Sequence, residues 1–195
     1  PLAEADRWEV VAAYLMSAGL VYGVGTFLFV VILKWLLMGR YRHHSAPMWT
    51  RFVWVSEAVT NLYEGITVPN FMRYLRGTPW LPLALNVLGT RIGKGVYMDT
   101  TDVTEFDCVH IGDYSELNAM TCPQTHLFED RVMKIGDVKI GSKVYMGPRS
   151  SVLYGAVVAD NAKLGALTLV MKGEFIPAAS SWRGCPAAPV RSACR

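Results

Sequence analysis

The sequence predicts a mainly β protein: a left-handed parallel β-helix built on a six-residue repeat, preceded by a transmembrane helix and short amphipathic helices. Two columns of residues carry the β-helix. Ile140, Met146, Val152, Val158, Leu164, Val170 and Ile176 share one six-residue frame, and Val138, Val144, Ser150, Ala156, Ala162 and Thr168 stand two places before the first six. With aliphatic residues at their abundance here, seven anchors in a chosen frame arise by chance roughly 2 times in 10,000 before allowing for the choice of window, so the second column and the Ile-Gly pairs are needed beside them. Each anchor is followed in turn by Gly141, Gly147, Leu153, Ala159, Gly165 and Met171, so small residues hold four of the first six corners where the chain is expected to turn. Each step reads as one short strand plus a corner, and three steps close a triangular coil. Ile92-Gly93, Ile111-Gly112 and Ile135-Gly136 extend the pattern upstream.

The third observation is an apolar run at the N-terminus. Val10 to Leu33 carries no charged residue over 24 positions, enough for a helix to cross a hydrocarbon core of about 30 Å. Glu4, Asp6 and Glu9 precede it against Arg7 alone, unlike the basic start of a cleaved signal, so a retained membrane helix is expected. Gly19, Gly23 and Gly25, with Ser17 and Ala18, offer a close-packing face for another helix, although glycine is frequent in membrane helices generally. Lys34, Arg40, Arg42 and Arg51 follow with no acidic residue before Glu57, so the positive-inside rule places residues 34 onward in the cytoplasm. A net charge of +3, concentrated beside the span, suits anionic membrane lipid and not nucleic acid. Cys108, Cys122, Cys185 and Cys194 lack CxxC spacing, which predicts free thiols and neither a zinc site nor a disulfide framework. The chain begins without methionine almost at the membrane, as a piece of a longer protein would.

Three segments follow: residues 1–42, the transmembrane helix and its flanks; 43–87, an amphipathic helical connector; and 88–190, the β-helix domain. Phe52, Val55, Val59, Leu62 and Tyr63 recur at helical spacing between Trp49 and Gly65, predicting a helix over 48–64 near the headgroups that Gly65 ends. Pro69-Asn70 starts a short second helix and Gly77-Thr78-Pro79 ends it. His43 and His44 read as a solvated pair in a basic loop. Leu81 to Leu88 is expected to plug the open end of the coil, which otherwise exposes apolar interior and unpaired backbone.

After Ile111, Leu117 and Pro123 the six-residue spacing fails, and it resumes at Ile135. Gln124 to Lys134 is therefore an insertion ejected from the coil, a natural place for function. It concentrates Thr125, His126, Glu129, Asp130 and Arg131 in a chain only 18% charged. His126 is the side chain suited to accept a proton near neutral pH, and a neighbouring carboxylate, Glu129 or Asp130, can fix its tautomer and raise its basicity; these two carboxylates read equally as a solvated acidic turn paired with Arg131. Glu105 and Asp107 read as substrate carboxylates or caps on the first coils, with the structural role favoured.

Thr121 to His126, the return to Ile-Gly repeats and the closing Gly184-Cys185-Pro186-Ala187 resemble hexapeptide-repeat acyltransferases, in which a loop His acts as general base. A wider resemblance covers nearly the whole chain. The order of membrane helix, Trp-rich connector, Gly77-Thr78-Pro79, Thr104-Glu105-Phe106-Asp107, Gln124-Thr125-His126-Leu127-Phe128-Glu129-Asp130-Arg131, Leu169 to Glu174 and Trp182-x-Gly184 is similar to the C-terminal membrane and acyltransferase-like region of ε-poly-L-lysine synthetase-like nonribosomal peptide synthetases. That resemblance implies amide formation between an acyl or aminoacyl thioester, carried on phosphopantetheine or CoA, and an amine, with His126 as catalytic base. Gln124, Thr125, Glu129, Asp130 and Arg131 are then the expected substrate-binding residues, with no metal and no covalently bound cofactor. Other copies of the domain, as a trimer or a tandem pseudo-trimer, are the implied partners.

Two other readings use the same fold. A γ-carbonic-anhydrase-like protein needs three zinc-binding His, and the coil region holds only His110 and His126. A non-catalytic β-helix scaffold needs no His126 at all.

Overall fold

In the computed structural model, which describes residues 2–190, the chain runs from a long N-terminal helix through a helical connector into a coil of short parallel strands. Three stacked sheets make the faces of the coil. One joins Arg91–Ile92, Val109–Ile111, Val138–Ile140, Val157–Val158 and Phe175–Ile176 in parallel. A second joins Tyr97–Met98, Glu116–Leu117, Tyr145–Met146, Lys163–Leu164 and Ser181–Arg183. The third is shorter, Cys122–Gln124, Ser151–Leu153 and Leu169–Val170. Ile140, Val158 and Ile176 stack in register 18 residues apart, three six-residue steps per turn.

Both columns read from the sequence point inward. All seven anchors from Ile140 to Ile176 are buried, as are Val138, Val144, Ser150, Ala156, Ala162 and Thr168. Burying each large anchor contributes about 1.5–3 kcal/mol, which is why the frame is kept so strictly. The small column is narrow because it fills the corners of the triangle; the Ser150 hydroxyl donates to the Gly147 carbonyl at 2.7 Å.

The expected turn position needs correction. The left-handed residues are Lys143, Arg149, Gly155, Asn161, Leu167, Gly173 and Ala179, three places after each anchor and mostly not glycine. Smallness directly after the anchor has another cause, the closeness of the next coil. A Cβ on Gly112 would lie 2.6 Å from the Gly141 carbonyl carbon, and one on Gly147 would lie 2.6 Å from the Ala166 nitrogen.

Helix α1 spans Leu2–Leu33 and continues as a π turn over Lys34–Met38. Residues 7–22 are exposed, whereas Gly23, Thr26, Phe27, Val30 and Lys34 are buried at helical spacing against the connector. The segment Arg7–Met38 is long and apolar enough to cross a membrane. Of the three glycines, Gly23 meets the chain's own connector, where a Cβ would lie 2.6 Å from the Asn70 carbonyl oxygen; Gly19 and Gly25 face open space.

Helix α2, Arg51–Leu62, does not stop at Gly65. It passes through a π turn at Tyr63–Thr67 into the short helix α3, Val68–Asn70. Its inner face is Val53, Ser56, Val59 and Tyr63, rotated from the expected stripe. Ser56 is drawn in because its hydroxyl donates to the Tyr41 hydroxyl at 3.4 Å. Helix α4, Trp80–Leu88, buries Leu81, Ala84, Leu85 and Leu88 and packs on the first strand of the coil. The coil's far end is closed by Ser181–Arg183 pairing antiparallel with Ala188–Pro189.

Candidate active site

Along the sheet of Ile92, Ile111, Ile140 and Val158, 29 residues separate Ile111 from Ile140 where 18 separate Ile140 from Val158. The excess leaves the coil as a hairpin, His126–Glu129 antiparallel to Val132–Ile135, turned by Asp130 and Arg131 at φ 51° and 61°. A third strand joins it that the sequence did not announce: His44–Pro47, just beyond α1, pairs antiparallel with Val132–Ile135. The connector is thereby fastened over the insertion, and Tyr41, Ala46, Val53, Cys108, Met133 and Ile135 form a second small core beneath it.

His126 occupies the root of this hairpin. Its Nδ1–H donates to Glu105 Oε2 at 2.8 Å, which leaves Nε2 as the basic atom. The Thr125 hydroxyl donates to the same carboxylate oxygen at 2.6 Å. Glu105 is fully buried, with Oε1 lacking any partner among the described residues. Its backbone lies in the left-handed region, at φ 37° and ψ 59°, an unfavourable place for a residue with a Cβ and one typical of functional strain. The carboxylate that orients His126 is thus on the preceding coil, 21 residues away.

The imidazole stands above its ordinary pKa. Burial pulls it down, but the hydrogen bond to Glu105 and the charges of Glu105, Glu57 and Glu64 outweigh that. Burial in turn raises Glu57, with His126 opposing and Glu105 and Glu64 adding to the rise. Glu64 is raised by burial and then by Asp102. Glu57, Glu64 and Glu105 thus make the surroundings of one imidazole strongly acidic. The ring edge meets Phe128 at 5.5 Å between centroids, and Phe128 lines an open groove of about 560 Å³ with Trp49, Val53, Trp54 and Glu57. A larger cavity of about 620 Å³ lies between α1 and Phe71, Tyr74 and Leu75, apart from this chemistry.

The other residues singled out from the sequence divide between two places. Gln124 supports the site, its Nε2 donating to the His126 carbonyl at 2.9 Å while its Oε1 accepts from the Cys122 thiol at 3.1 Å. Burial pushes that thiol up to about 12. Glu129 points the other way, because alternate residues of a strand face opposite sides. It pairs with Lys134 at 2.9 Å and Lys172 at 2.6 Å, whose hydrogen bonds lower its carboxyl to about 2. Glu129 therefore does not orient His126, and Asp130 and Arg131 form the exposed hairpin turn. Asp107 is structural: it binds Lys34 at 2.6 Å, so Lys34 is not one of the exposed cations that follow the apolar helix, whereas Arg40, Arg42 and Arg51 are exposed. Among the described residues no three His, Cys, Asp or Glu side chains group as metal ligands. Cys108, Cys122 and Cys185 are free thiols, and Cys194 lies outside the described residues.

No family model matches the chain. Over 175 residues, 90% of its length, it is 63% identical to the delta-poly-L-ornithine synthetase of Acinetobacter baumannii strain AB307-0294, of which it spans 13%. The chain is homologous to that segment. Among solved structures, a maltose O-acetyltransferase from Clostridium difficile 630 aligns with 76% of this chain and 91% of its own, at 14% identity and a TM-score of 0.49. A hexapeptide-repeat-containing acetyltransferase from Vibrio cholerae aligns with 89% of this chain and 93% of its own, at 12% identity and a TM-score of 0.43.

Proposed function

We propose that this chain is an acyltransferase unit of a larger peptide synthetase, forming an amide bond between an aminoacyl or acyl thioester and an amine. The observation that carries the reading is the Thr125–Glu105–His126 arrangement where the hairpin leaves the coil. Glu105 fixes the Nδ1–H tautomer, so Nε2 is free to take a proton from the attacking nitrogen as it closes on the thioester carbonyl. The C–S bond then breaks and the thiolate leaves, taking up a proton. His126 is the catalytic base in this proposal, Glu105 and Thr125 position it, and Gln124 supports the strand that bears it.

Glu57 and Glu64 give the site the charge to draw in a cationic amine, and the groove of Trp49, Trp54 and Phe128 gives an aliphatic stem an apolar wall. The name of the homologous synthetase suggests ornithine as the amino acid. Glu129, Asp130 and Arg131, at the far end of the hairpin, are available to a more distant part of the substrate or to a neighbouring copy. The acyl donor is read as a phosphopantetheine or CoA thioester, a substrate and not a resident cofactor. The left-handed winding implied by the six-residue repeat, a membrane-crossing α1, a cytoplasmic coil and assembly with further copies belong to the same proposal.

The test is turnover of an ornithinyl-pantetheine thioester by the chain in lipid nanodiscs, with and without its neighbouring domains. His126→Ala should abolish amide formation while the coil stays folded. An equally active His126→Ala protein would remove His126 as the base, and a wild-type chain without turnover in either context would leave the scaffold reading.

A further inference from the structure

We infer that the buried Lys34–Asp107 ion pair is a positioning element for the Glu105–His126 dyad, so that the end of the long apolar helix sets the geometry of the base through one contact. The inference rests on the acyl-transfer reading. The Lys34 side chain is fully buried, its ammonium 2.6 Å from Asp107 Oδ2 and 3.6 Å from the centre of the Trp35 ring. The same carboxylate oxygen accepts the Tyr41 backbone N–H at 3.1 Å. Two segments that flank the end of α1 therefore converge on Asp107. A buried ammonium with one carboxylate partner is costly to isolate, so wherever Lys34 sits, Asp107 must follow.

Asp107 transmits this to the site because only one residue separates it from Glu105. Glu105 caps the single helical turn Phe106–Cys108, and its carbonyl accepts the Cys108 N–H at 2.8 Å. Phe106 between them is clamped edge-on against Tyr63 at 5.1 Å between centroids. Glu105 holds a left-handed conformation that it would not keep unaided. Constraint on one side comes from His126 and Thr125, and on the other from Asp107. Gly89 completes the arrangement: at φ 121°, a Cβ there would lie 2.7 Å from Asp107 Oδ1 and 3.0 Å from Lys34 Nζ. Room for the pair has been left in a third element, the end of α4.

The variant Lys34→Met/Asp107→Asn removes both charges, keeps the volume, and keeps an oxygen for the Tyr41 N–H. Replacing a whole buried pair is often neutral for stability, unlike breaking it, so the double variant should fold. Two readouts are taken on the full chain in nanodiscs: the titration of His126 by NMR with labelled histidine, and kcat against KM across pH. The carboxylates facing the imidazole are Glu105 from the coil, Glu57 from α2 and Glu64 from the turn after it, and all three are retained. If the pair positions Glu105, the His126 titration moves down by about 1 unit and kcat falls about 10- to 100-fold at unchanged KM. Lys34→Arg, which keeps the charge, should retain much of both. A double variant with the wild-type His126 titration makes the pair an anchor only and overturns the inference. The titration needs no turnover, so the acyl-transfer reading fails separately, by a wild-type chain that titrates as expected and never forms an amide.

Discussion

Replacing Glu105 with Gln tests the core of the site, since it removes one charge and almost no volume. The Glu105 side chain is fully buried and that of His126 is 13% exposed, so solvent screens their 2.8 Å contact little. Hydrogen bonds to charged groups contribute about 1.5–3 kcal/mol; at 1.36 kcal/mol per unit, that is about 1–2 units of His126 pKa. Burial of the ring remains in the variant and acts downward, so the imidazole should titrate below its ordinary value instead of above it. Deprotonated imidazole is the active form of a general base. The rising limb of the pH–rate profile should therefore move to lower pH by about 1–2 units, while the plateau drops about 10²- to 10⁴-fold because the base is weaker and no longer held in one tautomer.

Stability should follow with the matching sign. A folded-state His pKa above the unfolded one adds stability that is fully present below the unfolded pKa and is lost as pH rises through the folded one. The denaturation midpoints of wild type and Glu105→Gln should thus be furthest apart near pH 5 and closer near pH 9. Steady-state turnover with an aminoacyl-pantetheine thioester, together with urea melts at both pH values, supplies the measurements. A variant that keeps the wild-type limb, with a plateau reduced less than threefold, would refute Glu105 as the group that tunes the base.

Other outcomes follow from the same geometry. Glu57→Gln should raise KM for a diamine acceptor more than it lowers kcat, and should leave KM for butylamine, which lacks the second ammonium group, unchanged; equal changes for both amines would remove the electrostatic role. Glu129→Gln should leave His126's titration and turnover within about twofold of wild type, since solvent-exposed pairs contribute little. Met146→Ala, at a fully buried anchor, should cost about 2–5 kcal/mol in a thermal or denaturant melt, whereas Leu167→Gly, at an exposed position with φ 58°, should be near neutral because it relieves about 1–2 kcal/mol of left-handed strain. An aromatic disulfide reagent at pH 8 should label Cys185 rapidly and Cys108 and Cys122 only on unfolding, the latter two being pushed up to about 12 by burial.

How much of this was legible before the structure depended on whether the governing contact repeats. The anchors from Ile140 to Ile176 do, and a column of residues that all face one interior leaves a period in the sequence. The insertion was legible for the same reason, as the place where the period stops. Glu105 was not legible as the partner of His126. The strands of the first two coils register at 19 residues and those of the later coils at 18, but Thr100 bonds Thr121, Thr104 lies beside Thr125, and Glu105 meets His126, all at a spacing of 21. No six-residue frame finds that register, and the acidic residues nearest in sequence, Glu129 and Asp130, attract attention instead. The inner face of α2 was misplaced by a similar effect: a hydroxyl at Ser56 satisfied by Tyr41 is as good a core residue as a valine, and hydropathy counts it as surface.

The irregular register also has a mechanical reason to exist. A perfectly periodic coil offers identical grooves along each face, and none of them brings a carboxylate, an imidazole and a hydroxyl to one point. Slipping the second turn against the first by two residues from their 19-residue strand register places Glu105, Thr125 and His126 together, at the cost of a strained backbone at Glu105 and an extruded hairpin. Both need support from outside the coil, and both receive it from the stretch just after α1: His44–Pro47 completes the hairpin sheet, and Tyr41 with Lys34 holds Asp107. The long helix and the site are therefore one mechanical unit, and severing α1 before Lys34 should disturb His126 more than any change on the regular coils from Met146 to Ile176.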